Sequence, residues 1–142
     1  MSPEELKAKD RLVIEAMNQQ NLAVFDELYT PDIVVHSVLM TTQGREAYKQ
    51  ALSESFTAFP DTQITIEDQI AEGNKSVVRF TESGTHQGDL MGIKASGKRF
   101  HGTGISIARH DANGKTAEVW ISFDFLGMLQ QLGVVPAPGQ SS

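Results

Sequence analysis

The chain changes its hydrophobic period once, at Pro60, and that change constrains its fold more than any other feature. Before it, Tyr48, Ala51, Leu52, Ser55, Phe56 and Phe59 recur at three- and four-residue spacing, which predicts an amphipathic helix from about Arg45 to Ala58, stopped by Pro60. After it, Ile64, Ile66 and Ile70 alternate with Gln63, Thr65, Glu67 and Gln69. The turn Glu72-Gly73-Asn74-Lys75 then leads into Ser76 to His86 as the second arm of a hairpin. Gly88 to Gly97 has no period and reads as a loop to a strand from Lys98 to Arg109. Asp111-Ala112-Asn113-Gly114 is the next turn, and a strand continues to about Asp124. Earlier, Ser2-Pro3-Glu4-Glu5 carries the N-cap serine, first-turn proline and glutamate of a capped helix with the stripe Leu6, Val13 and Met17. Asn21 caps a second short helix that ends before Thr30-Pro31, a short strand spans Ile33 to Ser37, and Phe125 to Leu132 form a last helix closed by Gly133. Helices followed by a run of long strands indicate an α+β domain, a curved and mostly antiparallel sheet with three or four helices around one small-molecule pocket.

At 142 residues the chain fits a single domain, 1–142, with a flexible proline-containing tail over 134–142. Cysteine is absent, which excludes disulfides, thiolate metal sites and cysteine nucleophiles. No basic segment precedes an apolar run, and no apolar stretch approaches the roughly 20 residues of a membrane span, so a cytoplasmic, soluble protein without membrane contact is expected. A net charge of −6, with basic residues scattered singly, argues against a nucleic-acid partner. His36, His86, His101 and His110 have no metal-ligand spacing, and no phosphate loop, dinucleotide fingerprint or nucleophile elbow occurs, so neither metal nor cofactor is expected.

If Asp111 faces Lys115, the hairpin register sets Ser106 opposite Trp120, Gly104 opposite Ser122 and Gly102 opposite Asp124. Phe100, Gly102, Gly104, Ser106, Trp120, Ser122 and Asp124 then share one polar, stepped face, and Ile105, Ile107, Val119, Ile121 and Phe123 the other. The two glycines read either as a cavity floor or as bending points of a curved sheet. The apolar face must be covered, by the helices or by a second subunit; if the helices cover the pocket side, a homodimer follows. Asp124 ends an apolar strand and precedes an apolar helix. Desolvation there would make it a working base, but an aspartate at such a junction is commonly just an N-cap, the reading that chemistry alone favours. His36 and His86 end strands where a cavity rim would lie, and a surface or hydrogen-bonded histidine is the plain alternative for each.

Gly84-Thr85-His86-Gln87-Gly88, Gly92 to Lys98, Gly102 to Arg109, Glu118-Val119-Trp120 and the run from Asp124 through Leu126 to Gly133 resemble the SnoaL-like polyketide cyclase (ester cyclase) family of the nuclear-transport-factor-two-like superfamily. The resemblance implies a cone-shaped α+β barrel, usually dimeric, with a hydrophobic pocket. It further implies cofactor-free intramolecular aldol cyclisation, with an aspartate that falls on Asp124. Some members carry a histidine where this chain has Ser106, so acid assistance would come from another group such as His36 or His86. The expectation is a lyase or isomerase acting on a small hydrophobic carbonyl compound. Asp124 and His36 would be catalytic, and His86, Phe100, Ser106 and Trp120 would contact the ligand. A hydratase or epoxide-opening enzyme in the same pocket, or a noncatalytic carrier or dimerisation module, is the alternative.

Overall fold

Ser2 opens the first helix through a capping box: its hydroxyl accepts from the Glu5 N–H while the Glu5 carboxylate accepts from the Ser2 N–H. The computed structural model describes residues 1–136 and 139. Its elements are α1 (Pro3–Gln19), a 3₁₀ turn (Leu22–Val24), α2 (Phe25–Leu28), β1 (Tyr29–His36), β2 (Thr41–Gln43), α3 (Arg45–Ala58), β3 (Gln63–Glu72), β4 (Lys75–Thr85), β5 (Arg99–His110), β6 (Thr116–Phe123) and α4 (Phe125–Gln131). The expected tail over 134–142 falls largely outside the described residues. Among the described residues no helix is long and apolar enough to cross a membrane.

One six-stranded sheet in the order β2-β1-β6-β5-β4-β3 carries the helices. Only β1 and β6 are parallel neighbours; the other pairs are antiparallel. The α+β architecture is thus an open mixed sheet and not a closed barrel, with β2 and β3 as its edges. β1 begins at Tyr29, earlier than the sequence suggests, and runs through Pro31, which an edge-like segment tolerates because the ladder to β6 is interrupted between Tyr29 and Val34. α1 packs on β3 and β4, α3 on β1, and α4 on β5. The helices cover one sheet face over two clusters, one around Phe25, Ile33, Tyr48 and Phe56, the other around Phe59, Phe100, Met128 and Leu132.

Two single-residue bulges set the faces. In β3, Ile66 pairs with Phe80 but Asp68 pairs with Arg79, so Glu67 is the extra residue. Ile64 and Ile66 point inward, while Ile70 is turned outward and is 60% exposed. In β6, Thr116 pairs with His110 but Glu118 pairs with Arg109, which makes Ala117 the extra residue. Beyond it Ile107 faces Trp120, Ser106 faces Ile121 and Gly104 faces Phe123, one residue away from the register expected from the turn. Because side chains alternate along a strand, that slip moves the whole of β6 across the sheet. Val119, Ile121 and Phe123 join Phe100, Ser106 and Ala108 on the inner face. Trp120, Ser122 and Asp124 lie on the outer face beside Ile105 and Ile107.

The paired glycines have a concrete cause. A Cβ at Gly104 would stand 2.5 Å from Phe80 Cζ, and one at Gly102 would stand 2.7 Å from Phe123 Cζ. The two rings lie nearly parallel, 3° apart, with centroids separated by 6.4 Å. The glycines therefore make room for rings reaching over β5 from both neighbouring strands. Gly104→Ala is expected to cost about 1–3 kcal/mol by overpacking, read as a lower midpoint in urea at unchanged slope.

Candidate active site

Two cavities meet on the inner face. The deeper one, about 140 Å³, lies between α1, α3 and the sheet, and is walled by Met17, Tyr29, Tyr48, Phe56, Val78 and Phe80. The outer one, about 480 Å³, opens beside Leu39, Met40, Met91, Phe100, Phe123 and Met128. Ser55 and Glu82 line both, so Glu82 stands at the neck. Among the described residues, no Lys, Arg or His lines either cavity, and no cluster of three or more His, Cys, Asp or Glu side chains is placed to hold a metal ion.

Of the residues marked out in the sequence, Ser106 and Phe100 line this space. Ser106 lies in the deep cavity, and Phe100 lies in the outer one, edge-on to Phe59 and Phe123. Trp120, expected in the pocket, stacks instead on His36 across the outer face, with centroids 5.6 Å apart. The Ala117 bulge is the reason. His36 pairs through Nε2 with Glu118 Oε2 at 2.7 Å and through Nδ1 with Thr41 Oγ1 at 3.3 Å, and Arg109 reaches Glu118 Oε1. The His36 hydrogen bond, with Arg109 beside it, holds the Glu118 carboxyl below its ordinary value. Among the described residues, neither His36 nor Trp120 lines either of these two cavities.

Asp124 also falls on the outer side, in an open depression with Arg79, Thr103 and Ser122. It is exposed, and its Oδ1 accepts from the Gly127 N–H at 2.9 Å, so it caps α4 and is not desolvated by its apolar neighbours. His86 is fully buried. It packs tilted against Phe59, its Nδ1 accepts from the Ser96 N–H at 3.2 Å, and its backbone bonds Lys98 and Gly97. It fastens the 87–97 loop, and Gly88 lets that loop pass against the Thr57 carbonyl at the end of α3, where any side chain would collide. Among the described residues His86 borders neither cavity.

The carboxyls lining the deep cavity are Glu82 and Asp10, while Glu54 and Asp89 line the outer one together with Glu82. Glu82 lies on the inward phase of β4, after Val78 and Phe80, between Ile64 and Gly102. No hydrogen bond to it is formed among the described residues, and burial alone raises its pKa to about 7. Asp10 lies on the apolar stripe of α1 between Leu6 and Val13, is 8% exposed, and is raised by burial to about 6, with the Ser76 hydroxyl and Arg11 pulling it partway back. Burial also pushes the Tyr29 and Tyr48 hydroxyls well up, so both phenols stay protonated. Sequence reading passed over both acids, although each carries a legible signal: an acid in the apolar phase of a strand, and an acid on the apolar stripe of a helix.

Sheet order, covering helices and a deep apolar cavity define an α+β protein of the nuclear-transport-factor-two-like fold. The model of the SnoaL-like polyketide cyclase family matches residues 8–132, and the chain belongs to that family. No curated protein matches the chain. Among solved structures it is similar to AclR, a candidate hydroxylase from Streptomyces galilaeus, with 27% identity, TM-score 0.86, and 98% of this chain and 87% of that chain covered. It is similar to TsrD from Streptomyces laurentii, with 27% identity, TM-score 0.86, and 95% and 99% covered. It is also similar to IdmH from Streptomyces antibioticus, a candidate polyketide cyclase, with 28% identity, TM-score 0.78, and 91% and 99% covered.

The raised carboxyls give stability a defined pH dependence. With Glu82 at about 7 in the fold and near 4.5 when unfolded, the native state binds more protons between those values. Stability is therefore lost as pH rises through that window. Glu82→Gln removes the ionisation. It is expected to raise stability at pH 8 by on the order of 1–3 kcal/mol at most, read as a higher melting temperature, and to flatten the decline of that temperature from pH 5 to 8 in calorimetry.

Proposed function

We propose that this chain is a cyclase-type enzyme that transfers a proton on an apolar, ring-forming carbonyl compound without a cofactor, with Glu82 as the base. The observation that carries this reading is the Glu82 carboxyl: it stands at the neck between two largely apolar cavities, without a hydrogen-bond partner among the described residues, and is poised near neutral pH by burial. Family membership supports the cyclase class. In this reading Glu82 removes a proton α to one carbonyl, and the enolate carbon bonds the carbon of a second carbonyl in the same molecule. The electron pair moves to that carbonyl's oxygen, which takes a proton back from Glu82. Atoms and charge balance without an external reactant, so the step is an isomerisation. Ser106, in the deep cavity, supplies a neutral hydroxyl to the developing oxyanion, in place of the family histidine.

The alternative assigns the proton transfer to Asp124, assisted by His36 at oxygen. The two assignments separate in one comparison. With a substrate identified by thermal-shift screening of polyketide-like ring precursors, Glu82→Gln is expected to lose about 100- to 10,000-fold in turnover while ligand binding persists. Asp124→Asn, which keeps the cap, is expected to keep turnover within a few-fold. The reverse pattern would assign the base to Asp124, and tight binding with no turnover by the wild type would make the chain a carrier.

The outer face supports the homodimer, as a proposal with altered residues. The register aligns Ile70, Val77, Ile107, Trp120 and His36 in one row across five strands. Ile70, Ile105, Ile107 and Trp120 are 60%, 48%, 38% and 37% exposed, a contiguous apolar patch that a second copy would cover. Val119, Ile121 and Phe123 face inward and take no part. Ile107→Glu is expected to give monomers in light scattering, and an unchanged dimer would move the interface off this face.

A further inference from the structure

Where Asp10 and Thr116 line the deep cavity, four buried polar side chains from three strands and a helix are linked. His110 Nε2 lies 2.8 Å from Ser76 Oγ, and His110 Nδ1 lies 3.3 Å from Thr116 Oγ1. Ser76, His110 and Thr116 are each at most 2% exposed. The Ser76 hydroxyl stands within hydrogen-bonding reach of the Asp10 carboxyl. One donor order satisfies the chain: Thr116 donates to Nδ1, Nε2–H donates to Ser76, and Ser76 donates to Asp10. Burial holds His110 below its ordinary value, which keeps the ring neutral as this order needs. This hydrogen-bonded chain sets the Asp10 side chain in the cavity wall. Its Oδ2 is buried without a hydrogen-bond partner among the described residues. An acceptor left unmatched in an apolar wall is costly, and a ligand that supplies the missing donor recovers that cost.

Resting on the reading of this cavity as the ligand site, we infer that its Asp10 wall is a specificity subsite. In it, Asp10 Oδ2 accepts a hydrogen bond from a hydroxyl on the leading aromatic ring of the substrate, with Ser76 and His110 as positioning residues. The size agrees: about 140 Å³ holds one ring, as a dry cavity of roughly 150 Å³ holds benzene. The walls agree too, since Tyr29, Tyr48, Phe56 and Phe80 present aromatic surface to it. With no Lys, Arg or His lining either cavity among the described residues, an acidic leading group finds no counter-charge. A phenol-like hydroxyl finds Oδ2.

The test compares 2-naphthol with 2-fluoronaphthalene, a probe of similar shape that lacks the donor, by calorimetric titration at pH 7.5 to 8. Wild type is expected to prefer the naphthol by about tenfold or more. Asp10→Asn, which places an amide nitrogen at one of the two oxygen positions, is expected to bring the ratio toward one, while Ile14→Val in the same cavity leaves it unchanged. In wild type, carboxyl NMR is expected to show naphthol lowering the pH at which Asp10 titrates and the fluoro compound not doing so, which reads the contact even if the variant unfolds. Equal affinities in wild type, a preference that survives in Asp10→Asn, or an Asp10 titration unmoved by naphthol overturns the subsite and leaves the cavity as ligand site. Binding of neither probe overturns both.

Discussion

The β5–β6 ladder slips by one residue at Ala117, and the site depends on that slip. An antiparallel pair has only two faces, so one extra residue exchanges every side chain beyond it. Phe123 is thereby brought over Gly102, parallel to Phe80 over Gly104, and the rings form a partition beside Glu82. Trp120 is set outside, against His36 and next to Ile107. The bulge at Glu67 does the same on β3, keeping Ile64 and Ile66 inside while giving Ile70 to the outer row. An inner face that encloses and an outer face that can associate arise from the same two insertions.

Enclosure has an energetic consequence. Asp10 and Glu82 are carried by elements whose neighbours on the same phase are apolar, and each loses hydration, which for Asp10 the Ser76 hydroxyl and Arg11 offset only in part. A protein that needed only a core would place Leu or Ile at both positions. Their pKa values move upward into the neutral range instead, so both groups can change protonation at little cost during a reaction. The Phe59–Phe100–Phe123 edge contacts keep the outer cavity rigid around Glu82.

Elements were legible in the sequence where the signal is local. The capping box at Ser2, the helix Arg45–Ala58, the turn at Gly73-Asn74 and the Asp111–Gly114 turn all stand where the residues indicated. The Asp111 turn even has the expected geometry: its N–H bonds Lys115 O, and its carboxylate accepts from the Lys115 N–H. The face of each strand beyond the turn was not legible. Thr116-Ala117-Glu118 alternates as plausibly without a bulge as with one, and what decides between them is the packing of Val119, Ile121 and Phe123 under the helices, which is not local. Hence Ser106 and Phe100, on a strand without a bulge, lie on the inner face that simple alternation gives them, while Trp120 and Asp124 lie on the other face. The three-residue strand β2 is too short to show any period at all.

The resemblance motifs divide in the same way between fold and chemistry. In Gly84-Thr85-His86-Gln87-Gly88, Gly84 fits beneath Phe59 and Phe100, the Thr85 N–H and hydroxyl both bond Asp61, His86 fastens the loop to Ser96, and Gly88 clears the end of α3. Each residue holds the 87–97 loop or the strand before it, and Leu90 and Met91 of that loop line the outer cavity. Asp124 likewise starts α4, whose Met128 closes the same wall. A motif made of such residues marks the architecture that encloses a substrate. The two buried acids, Glu82 and Asp10, fall outside these motifs, on positions that only the inward phase of β4 and the apolar stripe of α1 single out. Members of one family can therefore share the enclosure while differing in the acid, base or hydrogen-bond acceptor that it presents.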